Sequence, residues 1–135
     1  MQSTPENREK LGQISAAMMK IHKLLLEEEM EARELAINKV IPPAERLNVL
    51  LNDPEFAWLR VLSQLMAFID EIYFQKEPVL NRQLKEVEEK VETLFALQNE
   101  SEFAYRYRSK LSTIPDLMIE HGLLKVALKS APEKK

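Results

Sequence analysis

At 135 residues, 45% hydrophobic and 30% charged, the chain has single-domain length and a composition that is neither disordered nor membranous. Two glycines argue against a sheet-and-turn fold, and the absence of cysteine excludes disulfides, thiolate chemistry and zinc-thiolate sites. A net charge of −3 gives no overall attraction to nucleic acid or anionic lipid.

The first stretch, MQSTPENREK, is polar and lacks the apolar core of a secretory signal, so a cytoplasmic protein is expected. Thr4, Pro5 and Glu6 make a cap, a first-turn proline and a charge suited to the positive end of a helix dipole. Leu11, Ile14, Met18, Ile21 and Leu25 then step by three and four, a seam for packing against another helix, with Gly12 a tolerable blemish. Glutamates at 27 to 29 interrupt it before Ala32, Leu35 and Ala36 resume. Unbroken from residue 5 to about 38, this helix is about 50 Å long, and part of it is expected to overhang, bend or meet another subunit.

Pro42 and Pro43 force an extended turn. A short helix from Ala44 to Leu51 is predicted next, with Leu47, Leu50 and Leu51 inward. Asp53 is then a good N-cap and Pro54 a good first helical residue, opening a helix over residues 54–74. Wound at about 100° per residue, it spreads Trp58, Val61, Leu62, Leu65, Met66, Phe68, Ile69, Ile72 and Tyr73 over half its circumference. An arc so wide implies neighbours on two or three sides, which makes it the central helix of a bundle. Arg60, Asp70 and Glu71 interrupt it at a few kcal/mol each in lipid, so no membrane span is expected.

Pro78 is predicted to start an amphipathic helix with Leu80, Leu84, Val87, Val91 and Leu94 in a narrow seam. Asn99 to Ser101 reads as a turn with Ser101 as cap, followed by a shorter helix with Phe103, Tyr107, Leu111 and Ile114 inward. Pro115 restarts the chain, Gly122 after His121 reads as a helix stop, and an apolar piece from Leu123 to Leu128 precedes a frayed tail over 130–135. The expected architecture is all-α: one domain over 1–135, a bundle of four main helices plus short ones, with the Pro5 and Pro78 helices packed around residues 54–74.

The chemistry-bearing residues are few. His22 and His121 are far apart and neither follows a glutamate by three, unlike a di-iron bundle; His22 is read as the edge of a seam and His121 as a cation at a helix C-terminus. The glutamates between 27 and 31 could share protons or bind metal, but read as a solvated face with Arg33 pairing Glu29. The segment YRYRSK, Tyr105 to Lys110, mixes rings and cations as nucleic-acid binders do, although Glu102 pairs with Arg106 and Tyr107 falls inward. Six methionines read as core filling rather than as an adaptable groove.

Asp53-Pro54, Phe56 to Arg60 (FAWLR), Leu62-Ser63 and Ile69 to Glu71 together resemble a family of small bacterial proteins without an established activity. The resemblance covers about a sixth of the chain. It implies a small helical bacterial protein, and it draws attention to Arg60, Ser63 and Asp70, which share a polar stripe and form either a recognition site or internal pairs. No catalytic residue, cofactor, metal or small-molecule ligand is expected. The expected role is a non-enzymatic cytoplasmic interaction or scaffolding protein, self-associating as a homo-oligomer or bound to a protein partner. The alternative is nucleic-acid binding through Arg106, Arg108 and the C-terminal lysines; an enzyme using Asp70 or the glutamates is a third reading.

Overall fold

The computed structural model describes residues 5–96 and 100–129. Among them are six α-helices and no strand, so the fold is all-α. Helix α1, Pro5–Ile37, runs unbroken for 33 residues. Its end is made by Asn38 at φ 57°, the left-handed conformation that asparagine tolerates better than most residues. The Asn38 amide donates to the Leu35 carbonyl at 3.3 Å and the Lys39 amide to Glu34 at 3.1 Å, the pair of bonds that satisfies the last carbonyls of a helix. This cap closes α1 before the proline pair is reached.

The central place was expected for residues 54–74; the two most extensive helix–helix contacts both involve α1. Its most extensive contacts are with α6, Pro115–Lys129, and α3, Ala57–Tyr73. Leu11, Ile14, Met18, Ile21 and Leu25 are wholly buried, so the early seam is consumed inside the chain and is not a free surface for a second copy. Beyond Met30 the helix overhangs, and Leu35 is 83% exposed. At one point α3 approaches α1 closely: a Cβ on Gly12 would stand 3.0 Å from the Tyr73 ring, which would have to shift by a few tenths of an ångström to admit it.

Asp53 caps as expected, its carboxylate accepting from the Glu55 amide at 2.9 Å, but Pro54–Phe56 is a turn of 3₁₀ helix and α3 proper begins at Ala57. Trp58, Leu59, Leu62, Ile69 and Ile72 are buried. The other side of the apolar arc is less covered: Val61 is 45% exposed, and Leu65 and Phe68 line an open groove of about 620 Å³ shared with Glu86 and Lys90 of α4, Asn81–Phe95. A central position for α3 would need that flank filled. Residues 57–73 otherwise contact α1, α4 and the helices over 43–52 and 102–111.

Helix α2, Pro43–Asn52, contains no buried residue, and Leu47 and Leu51, expected inward, are 62% and 55% exposed. It is too short to reach the core with more than Val49 and Leu50, both half-buried. Helix α4 begins three residues after Pro78, where the Gln83 side chain accepts from the Leu80 amide at 3.0 Å. Leu84, Val87, Val91 and Phe95 are its buried line. Ser101 caps α5, Glu102–Leu111, through a 3.1 Å bond from the Ala104 amide. Gly122 does not stop a helix: it lies inside α6, and nothing stands within 4 Å of where its Cβ would be. Thr4, Asn99 and the tail over 130–135 lie outside the described residues. Among the described residues no helix is long and apolar enough to cross a membrane.

Candidate functional site

Arg60, Ser63 and Asp70 each meet a partner from another segment of the chain. Arg60 donates to the carbonyls of Leu50 at 3.2 Å and Asp53 at 2.7 Å, tying the end of α2 to α3. Ser63 Oγ lies 3.0 Å from His22 Nε2 and 3.4 Å from the Leu59 carbonyl, so the hydroxyl donates along its own helix while accepting from the imidazole. Asp70 accepts from Ser15 Oγ at 3.3 Å. His22 and Ser15 are seven apart on α1, as Asp70 and Ser63 are on α3, so the two antiparallel helices are joined by polar rungs.

The basic segment of α5 is divided among three surroundings. Tyr107 is fully buried. Arg106 bonds Glu102 at 3.2 Å and lies 5.8 Å from the centre of the Trp58 ring. Lys110 reaches back to α1, 2.6 Å from Glu28 and 3.1 Å from Glu29. Its partial burial would lower its pKa, but the two carboxylates outweigh that and hold it above the usual lysine value. Arg33, expected to pair with Glu29, instead meets Asp53 at 2.7 Å. Tyr105 and Arg108 remain on the exposed side. Among the described residues no three histidine or acidic side chains are placed to hold a metal.

Two features were not singled out by sequence reasoning. The first is an aromatic cluster at the α4–α5–α6 junction, where Phe95, Phe103, Tyr107 and His121 meet with ring centres 5.1 to 6.4 Å apart. His121 is buried midway along α6, not a cation at a helix end, and its Nδ1 lies 2.8 Å from the Tyr107 hydroxyl. Burial pushes the Tyr107 phenol well above its ordinary value, and burial, with the charge of Lys125, lowers His121. The phenol therefore stays protonated, and which of the two groups donates follows the imidazole tautomer. The other ring nitrogen, Nε2, is buried without a partner, an arrangement that costs about 1–3 kcal/mol.

His22 is lowered by burial as well. Both imidazoles resist protonation in the folded chain, whereas the unfolded chain takes up protons near the ordinary imidazole value of about 6.5. Their contribution to stability is therefore present above that pH and lost as pH falls through it, levelling off below the folded values. Urea unfolding followed from about pH 7.5 to pH 5.5 should show stability falling, and the His22→Gln/His121→Gln double variant should lose most of that dependence.

The second feature is the outward face of α6, where Met118, Ile119, Leu123 and Val126 are 49% to 65% exposed with Gly122 between them. Its signal in the sequence was the apolar character of α6 on both sides, which a helix stop at Gly122 concealed. No family model matches the chain, and comparisons with curated proteins and with solved structures find no match, so the fold and its surface chemistry are the basis for assigning a role.

Proposed function

We propose that the protein is a small bacterial, cytoplasmic, non-enzymatic interaction protein that self-associates through the outward face of α6. The observation that carries this reading is the line of Met118, Ile119, Leu123 and Val126, four large apolar side chains left about half or more exposed on one helix. Contiguous apolar surface of this kind is costly in water unless something covers it. Gly122, exposed at the middle of the face, allows a second helix to approach closely.

A second copy is the occupant: two α6 helices laid antiparallel about Gly122 and Leu123 set their dipoles in opposition. Asp116 and Glu120 line a groove with Lys20 and Lys23 of α1. The apolar overhang at Leu35 and Val40 and the outer side of α2 at Leu47 and Leu51 provide further surface for a partner.

Sedimentation at tens of micromolar tests the reading. A dimer mass is expected, and Ile119→Glu combined with Val126→Glu should return the monomer mass with helicity unchanged, since both side chains are exposed in the fold. A monomer at that concentration before any substitution rejects self-association.

A further inference from the structure

Where α1 overhangs beyond Met30, the turn that follows is tied back to the helix: the Glu34 carboxylate accepts from the Ile41 amide at 2.8 Å and pairs with Arg46 at 3.0 Å. On that support Leu35 is 83% and Val40 79% exposed, with Lys39 beside them. Apolar side chains carried on a backbone already held in place lose little entropy when something covers them. On another side of the same chain, the open groove of about 620 Å³ between α3 and α4 has a floor of Val61, Leu65, Phe68 and Leu94.

We infer that the overhanging end of α1 from one copy of the chain seats in the α3–α4 groove of another, a head-to-tail contact that is separate from the outward face of α6 and does not rest on the reading given to that face. Length and charge both favour this occupant. Residues 61–68 of the groove and residues 31–37 of the overhang each span about two helical turns, so one helix end matches the floor along its length. On the α4 wall Lys90 lies over the Phe68 ring, 5.3 Å from its centre, and Glu86 and Glu89 stand with it. Two carboxylates against one cation suit an incoming Lys39. Among the described residues no ion pair engages Lys39, Glu86 or Glu89. Because overhang and groove are different surfaces, the contact is heterologous and does not end at two copies. A contact two turns long is small, so a Kd of about 0.1–1 mM is expected, too weak to register at the tens of micromolar where association through α6 is tested.

The test uses the full chain carrying Ile119→Glu and Val126→Glu, which removes the α6 contact, in sedimentation at up to about 1 mM. Its mass should rise above that of the monomer as concentration increases. Leu35→Glu or Val61→Glu, added to that chain, should each hold it at the monomer mass with helicity unchanged, since both side chains are exposed. Mixed in equal amounts, these two blocked chains should form a dimer, one supplying an intact overhang and the other an intact groove. With the Leu35→Glu chain isotope-labelled, resonances of Val61, Leu65 and Phe68 should move on mixing while those of Leu123 stay in place. Lys39→Glu should weaken association at least about threefold, and Glu86→Lys with Glu89→Lys should restore it. The inference is overturned if the chain lacking the α6 contact stays monomeric to about 1 mM, if either added substitution leaves association unchanged, or if the mixture stays monomeric. Failure of the α6 reading shows separately, as a monomer mass for the unsubstituted chain at tens of micromolar.

Discussion

Trp58→Ala is expected to lower the unfolding free energy by about 3–5 kcal/mol, measured by urea titration with far-UV circular dichroism as the probe. The ring is 3% exposed and sits where α3 meets α5: its centre is 5.7 Å from Phe103, Arg106 lies over its face, and its own backbone is in the first turn of α3. Truncation removes the largest side chain from the junction, and the surrounding helix ends cannot collapse into the space without dragging α5 off α3. Trp58→Phe separates the causes. The indole Nε1 is buried without a partner, so phenylalanine loses volume but also removes an unsatisfied donor, and the net cost should be no more than about 1 kcal/mol. A loss under about 1 kcal/mol for the alanine variant would mean that the junction does not depend on the ring.

Glu88→Ala has the second largest expected effect. Lys10 is 5% exposed, far more buried than lysines usually are. Its ammonium lies 2.6 Å from Glu88 of α4 and 2.9 Å from the Leu128 carbonyl of α6, so one charge on α1 ties together the helices on both sides. Removing the carboxylate leaves that charge inside with a single carbonyl, at a cost of about 2–4 kcal/mol. The figure stays below that for a fully enclosed pair because the Glu88 side chain keeps 24% of its exposure and water can enter when it is cut back. Lys10→Met alone, close in volume and uncharged, should cost far less, and the double variant should recover most of what Glu88→Ala loses. A double-mutant cycle gives the coupling directly; additive effects would show that the two side chains do not depend on each other.

Much of the fold was legible because its signals are local. Asp53 and Ser101 cap the elements assigned to them, Pro115 starts α6, and the lines Leu11-Ile14-Met18-Ile21-Leu25 and Leu84-Val87-Val91 are buried as their spacing requires. Errors came where two local signals carried the same letters. A glycine after a histidine marks many helix ends, but here α6 continues through Gly122 because Leu117, His121, Leu124 and Ala127 give it a continuous buried line against the rest of the fold. Leu47 and Leu51 have helical spacing and still face water, since periodicity states that two residues share a face and not which way the face turns.

The candidate chemistry divides in the same way. Arg60, Ser63 and Asp70 were correctly seen to share a stripe, yet only the packed helices reveal the Leu50 carbonyl, His22 and Ser15 as their partners. The Glu102–Arg106 pair was legible from its spacing of four, but the Trp58 ring beside Arg106 was not. Tyr107 and His121, fourteen residues apart, become a bonded pair only because α5 and α6 pack back on each other.

Helical class, helix starts and the identity of the apolar lines followed from the chain alone, because capping bonds and the helical period act within a few residues. Which helices meet most extensively, where Lys10 lost its water, and that His121 would be buried against Tyr107 were decided by packing between segments distant in sequence. Burial is a property of all neighbours at once, and no stretch of residues carries it by itself.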